Sequence, residues 1–205
     1  MATVTSYTES QPLVLRMRPA IDMTDDQFFE FCQINRELRI ERTAQGDILI
    51  MTPTGGATGA RNLRITLRLG LWTIQDGRGV AFDSSTGFIL PNGATRSPDG
   101  AWVRRSRLAA LTPEQKEKFL PLCPDFVIEL RSPSDPLAML KEKMQKYSAN
   151  GAQLGWLIDP TSQRVYVYRP AAEVECLENP ATVSGDPTLP GFVLTLPEIW
   201  QTDFS

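Results

Sequence analysis

Two carboxylates lie in segments that otherwise read as β-strand: Asp99 in SPDGAWVRR and Glu129 in PDFVIELRSPSD. Strand side chains alternate faces. Phe126, Ile128 and Leu130 therefore share one face of the second segment, and Asp125, Val127, Glu129 and Arg131 share the other. Asp99, Ala101 and Val103 share a face of the first. Charged residues are seldom buried alone, so the charged face of 124–135 is expected to line a polar site. If the two strands are neighbours, Asp99 and Glu129 meet across the sheet. Carboxylates at contact distance repel unless a proton or a cation lies between them. A hard divalent ion held by carboxylate, backbone carbonyl and water relieves that repulsion. The chain has no histidine and three scattered cysteines, Cys32, Cys123 and Cys176, so magnesium or manganese is the ion that the donors fit.

The missing histidine also excludes Ser-His, Cys-His and His-metal mechanisms. Proton chemistry is left to carboxylates, lysine, tyrosine or metal-bound water. The segment after the acidic strand, SDPLAMLKEKMQKYSANG, supplies a cation. Asp135 can cap a helix there, Pro136 suits its first turn and Gly151 can end it. Leu137, Leu140, Met144 and Tyr147 form its apolar stripe, with Lys141 and Lys143 on opposite borders and Lys146 toward solvent. A border lysine can lay its stem along apolar surface and carry its ammonium to a site at the sheet edge. A lysine that only solubilises the helix is the plainer alternative.

These residues need a framework. At 205 residues, one domain with a substantial core is expected, from 23 to 205, after a loose leader of 1–22. Thr24 and Thr112 are placed to cap short helices, and 38–53 reads as two strands around a turn at Gln45–Gly46. LGWLID and RVYVYR flank PTSQ as a hairpin, and LPGFVLTLPEIW closes the core. Strands alternate with helices, so the class is α/β or α+β around one mixed central β-sheet flanked by helices. In 54–77, Leu63, Leu67, Leu71 and Ile74 fall into one helical stripe, with Arg61, Arg64 and Arg68 on a different face. Those arginines, like Arg104, Arg105 and Arg107, are either a solvated surface or a phosphate-facing patch. Net charge is −3, so the whole molecule does not advertise nucleic-acid binding. The glycines of TGGATGARN lack the lysine of a phosphate loop and read as a flexible turn. No apolar run approaches the ~20 residues of a membrane span. The N-terminal residues lack the basic-then-apolar pattern of a secretory signal, and the cysteine usage suits a reducing cytoplasm.

The ordered set SPD at 97–99, PDFVIELRSPS at 124–134, KMQKY and NGAQLGWLIDP resembles the Uma2 family, small bacterial proteins classed with restriction endonucleases. The resemblance runs from about Met23 to Trp200. It implies the PD-(D/E)XK nuclease fold, which is restriction-endonuclease-like, and metal-dependent cleavage of phosphodiesters. It implies Asp99 and Glu129 as metal-binding carboxylates, the backbone carbonyl of Leu130 as a further ligand of Mg2+ (or Mn2+), and Lys143 as the catalytic cation. The superfamily's lysine normally sits two residues after the glutamate. This chain has Arg131 there, which stays protonated and cannot act as a base. Glu41 matches an acidic position that often joins such sites, or is a charge at a strand edge. Asp83 either supports the site or belongs to a turn, and Asp125 is a ligand or a strand-start residue. Family members often carry a histidine near TGGATGARN, and this chain has none. Arg61, Arg64 and Arg68 are candidates for contacts to a nucleic-acid backbone, which give affinity without reading sequence. The implied function is an endonuclease on nucleic acid, DNA first, working as a homodimer by analogy with small nucleases of this fold. The alternative is an inactive nuclease-like scaffold that binds nucleic acid or a protein partner, which Arg131 at the lysine position favours.

Overall fold

The computed structural model describes residues 12–202. In chain order its elements are β1 (Leu13–Leu15), α1 (Asp25–Ile34), β2 (Arg39–Arg42), β3 (Ile48–Met51), α2 (Gly56–Asp76), β4 (Gly79–Asp83), β5 (Phe88–Ile89), β6 (Thr95–Arg96), β7 (Gly100–Arg104), α3 (Arg105–Ala109) and α4 (Pro113–Glu117). There follow β8 (Phe126–Leu130), α5 (Leu137–Ala149), β9 (Leu154–Asp159), β10 (Arg164–Tyr168), β11 (Glu175–Glu178), β12 (Thr182–Ser184), β13 (Val193–Thr195) and α6 (Pro197–Trp200). Of the expected leader, residues 1–11 lie outside the described residues, and Leu13–Leu15 pair antiparallel with β3.

The central sheet has the strand order β11-β10-β9-β8-β7-β4 and is mixed, because β8 and β9 alone run parallel. Parallel neighbours need a crossover connection, and α5 is that crossover. All five residues of β8 are buried, as expected of an inner strand covered on both faces. Its alternation is as the sequence requires. Phe126, Ile128 and Leu130 pack with Ile65 and Leu69 of α2, and with Trp156, Phe192 and Ile199. Val127 packs on the opposite side with Ala101, Val103, Met144 and Tyr147. The crossover helix thus lies on the face of β8 that Glu129 occupies.

A second, antiparallel sheet, ordered β1-β3-β2-β6-β5, was not separated from the first by sequence pattern. Phe28 of α1 packs on Ile40 and Ile48 of this sheet. Thr24 and Thr112 close capping boxes with Gln27 and Gln115. Asp135 does not cap α5. Its carboxylate instead accepts the N–H of Ser132, which closes the turn before the helix. The glycine-rich segment is no loose turn, since Gly55 caps α2 and Gly56 begins it.

The stripe of α2 faces the other way from a core stripe. Leu63, Leu67, Leu71 and Ile74 are exposed by 69%, 55%, 48% and 80%, whereas Ile65 and Leu69 are fully buried. The reason lies at the C-terminus of the chain. Arg61 donates to the carbonyls of Ile199 and Trp200, Arg64 to those of Glu198 and Gln201, and Arg68 forks onto the Glu198 carboxylate. These bonds turn the arginine row toward α6, and the leucine row outward.

Candidate functional site

The two sheets meet where the chain leaves β6 and enters β7 through Ser97, Pro98 and Asp99. β2 belongs to one sheet and β8 to the other. On β2, Ile40 faces the Phe28 cluster and Arg42 stacks on the Phe28 ring at 4.8 Å. The alternate residues, Arg39 and Glu41, point toward the junction. In the β7–β8 register, Ala101 pairs with Val127 and Gly100 with Ile128, so one further step sets Asp99 opposite Glu129. Asp99 Oδ2 accepts the N–H of Leu130 at 2.8 Å, which ties it to the peptide that follows Glu129.

α5 supplies the cation. Lys143 Nζ lies 2.8 Å from Glu129 Oε1 and 3.0 Å from Glu41 Oε1. Tyr147, one turn on, donates its hydroxyl to the same Glu129 Oε1 at 3.0 Å. Arg96 closes on Glu41 Oε2 at 2.7 Å, and the N–H of Ser97 reaches Glu41 Oε1 at 3.0 Å. Lys141, on the other border of the stripe, lies over the Tyr166 ring instead, and Lys146 pairs with Glu142. Asp99, Glu129, Lys143 and Glu41 therefore form one network rather than separate ion pairs.

The two buried glutamates respond oppositely to this network. Burial pushes Glu129 up to about 7; Lys143 opposes the rise, and Asp99 and Glu41 add to it. Burial also acts on Glu41, but Lys143, Arg96 and the Ser97 N–H outweigh it and hold it down at about 2. Burial disfavours a charged Lys143, yet Glu129 and Glu41 raise its pKa, so it stays an ammonium at neutral pH. The Tyr147 phenol is pushed well above its usual range by burial and by Glu129.

Several expected residues lie elsewhere. Asp83 accepts from the N–H and hydroxyl of Ser85 and so belongs to a turn. Asp125 accepts the N–H of Arg104 and pairs with Arg107, as a strand-start residue does. Arg131 leaves the site face where β8 ends. Its guanidinium binds Asp159 at 3.0 Å and the Asp135 carbonyl at 3.0 Å. Arg61, Arg64 and Arg68 are engaged with α6, on the far side of the central sheet from Glu129, and not presented as a free phosphate-facing row. Sequence reasoning missed Arg39, Arg96 and Tyr147 as members of the network. Arg39 was signalled by its place two residues before Glu41 on one strand face, and Tyr147 by its place one turn after Lys143 on α5.

Among the described residues, no group of three or more His, Cys, Asp or Glu side chains is arranged to hold a metal. The site offers two carboxylates. Glu129 Oε1 carries both Tyr147 and Lys143, no described hydrogen bond reaches its Oε2, and Asp99 Oδ1 carries only a 3.4 Å contact from Arg39. Magnesium-class ions are commonly held by one or two carboxylates, with water and substrate phosphate supplying the rest. The donors fit such an ion, and not a closed structural metal cage.

The Uma2 family, described as "Putative restriction endonuclease", matches residues 25–197. A crystal structure titled as a "putative nuclease belonging to DUF820", from Anabaena variabilis ATCC 29413, aligns with a TM-score of 0.70 and 22% identity, over 87% of this chain and 98% of that one. At that identity the likeness is one of fold. No curated protein matches the chain.

Proposed function

The chain belongs to the Uma2 family, and on that premise we propose that it is a metal-dependent endonuclease that hydrolyses phosphodiester bonds of nucleic acid, DNA first. One observation carries the reading: Lys143 lies 2.8 Å from Glu129, while Asp99 holds the next peptide N–H of the same strand. The proposed ligands are Asp99, Glu129 and the Leu130 carbonyl, and a magnesium- or manganese-class ion there supplies a Lewis acid and an acidified water. Lys143 is a donor and not a base, because its two glutamate partners keep it protonated. Two of its three N–H bonds are engaged by Glu129 and Glu41, which leaves the third for a phosphoryl oxygen or the attacking water. Tyr147 fixes the rotamer of Glu129, and Arg96 balances Glu41, so the ammonium is held in place. Arg131 at the usual lysine position does not favour an inactive scaffold, because Lys143 provides the cation from α5.

The test is nicking of supercoiled plasmid in Mg2+ or Mn2+, expected for the native chain and lost in Asp99→Ala and Glu129→Ala. Cutting by Asp99→Ala at the native rate would sink the reading. A clean preparation that shifts DNA in a gel but never cuts it would establish the scaffold instead.

The reading extends to a homodimer, supported by the outward row on α2. Centred on Leu67, an antiparallel self-pairing of α2 would match Leu63 with Leu71 of the second copy, and Ala60 with Ile74, with no charge in the seam. The row leaves on the order of 400 Å² of apolar surface in water per copy, and pairing it with itself would bury roughly twice that, so flanking residues must join the seam to reach the about 1,000 Å² of a specific interface. Leu67→Glu is expected to leave a monomer in sedimentation; a native chain that already sediments as a monomer removes this part. Cytoplasmic residence is supported by the three free cysteines. Among the described residues, no helix is long and apolar enough to cross a membrane.

A further inference from the structure

Around the network stand three carboxylates, Asp99, Glu41 and Glu129, and three cations, Lys143, Arg96 and Arg39. The cations are not equivalent. Arg39 is 38% exposed at its side chain, against 15% for Lys143 and 7% for Arg96. Its bonds are also the loosest: 3.4 Å to Asp99 Oδ1 and 3.3 Å to the Ser97 carbonyl, beyond the roughly 2.7–3.2 Å of ordinary N–H···O bonds. Among the described residues its Nε is buried without a partner, a feature that Arg96 shares. Yet Arg96 is clamped on Glu41 at 2.7 Å, and Arg131 on Asp159 at 3.0 Å.

Arg39 borders a cleft of about 440 Å³, lined also by Gln33, Arg36, Ser84, Ser85 and Ser97. The Glu37 carboxylate lines the same cleft, but two guanidiniums, an amide and three hydroxyls outnumber it and leave a mainly anion-accepting wall beside Asp99. Among the described residues, the only carboxylate that Arg39 bonds is the one expected to take the cation. A divalent ion on Asp99 would compete for Oδ1 and set the guanidinium free.

We propose that Arg39 is a substrate-gripping residue: it rests on Asp99, a divalent ion displaces it, and it then takes a backbone phosphate of nucleic acid lying in the cleft. This rests on the nuclease reading above. Arg39 would couple cation and substrate, each favouring the other through one mobile side chain.

Two measurements on the full chain test it. The first is fluorescence anisotropy of a labelled DNA duplex in Ca2+, over a salt series. Arg39→Ala is expected to weaken binding about tenfold and to reduce the slope of log affinity against log salt by about one, with Arg39→Lys restoring the slope. The second is Mn2+ titration followed by electron paramagnetic resonance. Arg39→Ala is expected to bind Mn2+ several-fold more tightly than the native chain, because a competitor for Asp99 is gone, and Asp99→Ala more weakly. Unchanged affinity and slope in Arg39→Ala overturn the proposal, and so does Mn2+ binding that is unchanged or weaker in that variant. These outcomes are separable from failure of the nuclease reading, which falls if Asp99→Ala cuts normally. A native chain with no salt-dependent affinity for the duplex overturns both.

Discussion

The α2–α6 contact and the sheet junction are built from the same residue types and behave differently. At the first, Arg61 and Arg64 end on backbone carbonyls of 198–201, and Arg68 forks onto Glu198. Every guanidinium meets acceptors in the chain itself, and Glu198 is held below its usual range, first by the hydrogen bond from Arg68. At the second, burial drives Glu129 up to about 7, with Asp99 and Glu41 adding to the rise against Lys143. Charges that close on their own chain build a framework. A buried carboxylate that its neighbours fail to neutralise marks a place where a cation from outside gains most. The arginine row that most resembles a nucleic-acid surface in sequence is therefore the framework. The candidate site lies on the opposite face of the central sheet, where fewer charges appear in any one stretch of sequence.

The sharpest break in this comparison is Lys143→Ala against Arg64→Ala. The first is expected to lower the nicking rate per folded molecule by roughly 10²–10³-fold, and to lower the melting temperature as well, because Glu41 and Glu129 stay buried without their shared ammonium. If it leaves nicking intact, the junction is also mere framework.

Acidity sharpens the contrast within the site. Glu129 has a folded-state pKa of about 7 against an ordinary 4.5, so the native state holds a proton there that the unfolded chain has released. Its contribution to stability is present at low pH and is lost as pH rises from about 4.5 through 7. Glu41 has the reverse sign: held at about 2, it stabilises above 4.5, and that stability is lost as pH falls toward 2. In EDTA, Glu129→Gln should melt higher than the native chain at pH 8 and equal to it at pH 4. Parallel melting curves across that range would show that Glu129 is neutralised after all.

Smaller effects belong to the framework. Arg64→Ala removes two bonds, to the carbonyls of Glu198 and Gln201, and is expected to cost about 1–2 kcal/mol in urea unfolding, with the nicking rate per folded molecule unchanged. Loss of DNA affinity at unchanged stability would instead return the row to a nucleic-acid surface. The smallest effect is that of Arg68→Ala, whose exposed pair with Glu198 should scarcely move the melting temperature and less still in high salt.

Much of the fold is legible in consecutive residues. The alternation of 126–130 gives β8 its two faces, Thr24 and Thr112 announce their capping boxes, and Met144 and Tyr147 give α5 its buried side. α2 was legible as a helix but not in its rotation. It carries apolar residues on two sides, Leu63 and Leu67 on one, Ile65 and Leu69 on another, and periodicity cannot rank two stripes. The carbonyls of residues 198–201 break the tie, and they are remote in sequence.

The candidate site divides along the same line. The sequence by itself determined that Glu129 faces away from the apolar side of its strand, and that a lysine borders the buried stripe of the helix that follows. Both depend only on the repeat of strand and helix, which neighbouring residues set. Tertiary structure alone decided that Lys143 and not Lys141 meets Glu129, that Arg131 turns to Asp159, and that Arg39 and Glu41 arrive from a second sheet. Ion partners are chosen by distance through space, and here that distance is fixed by where two sheets cross.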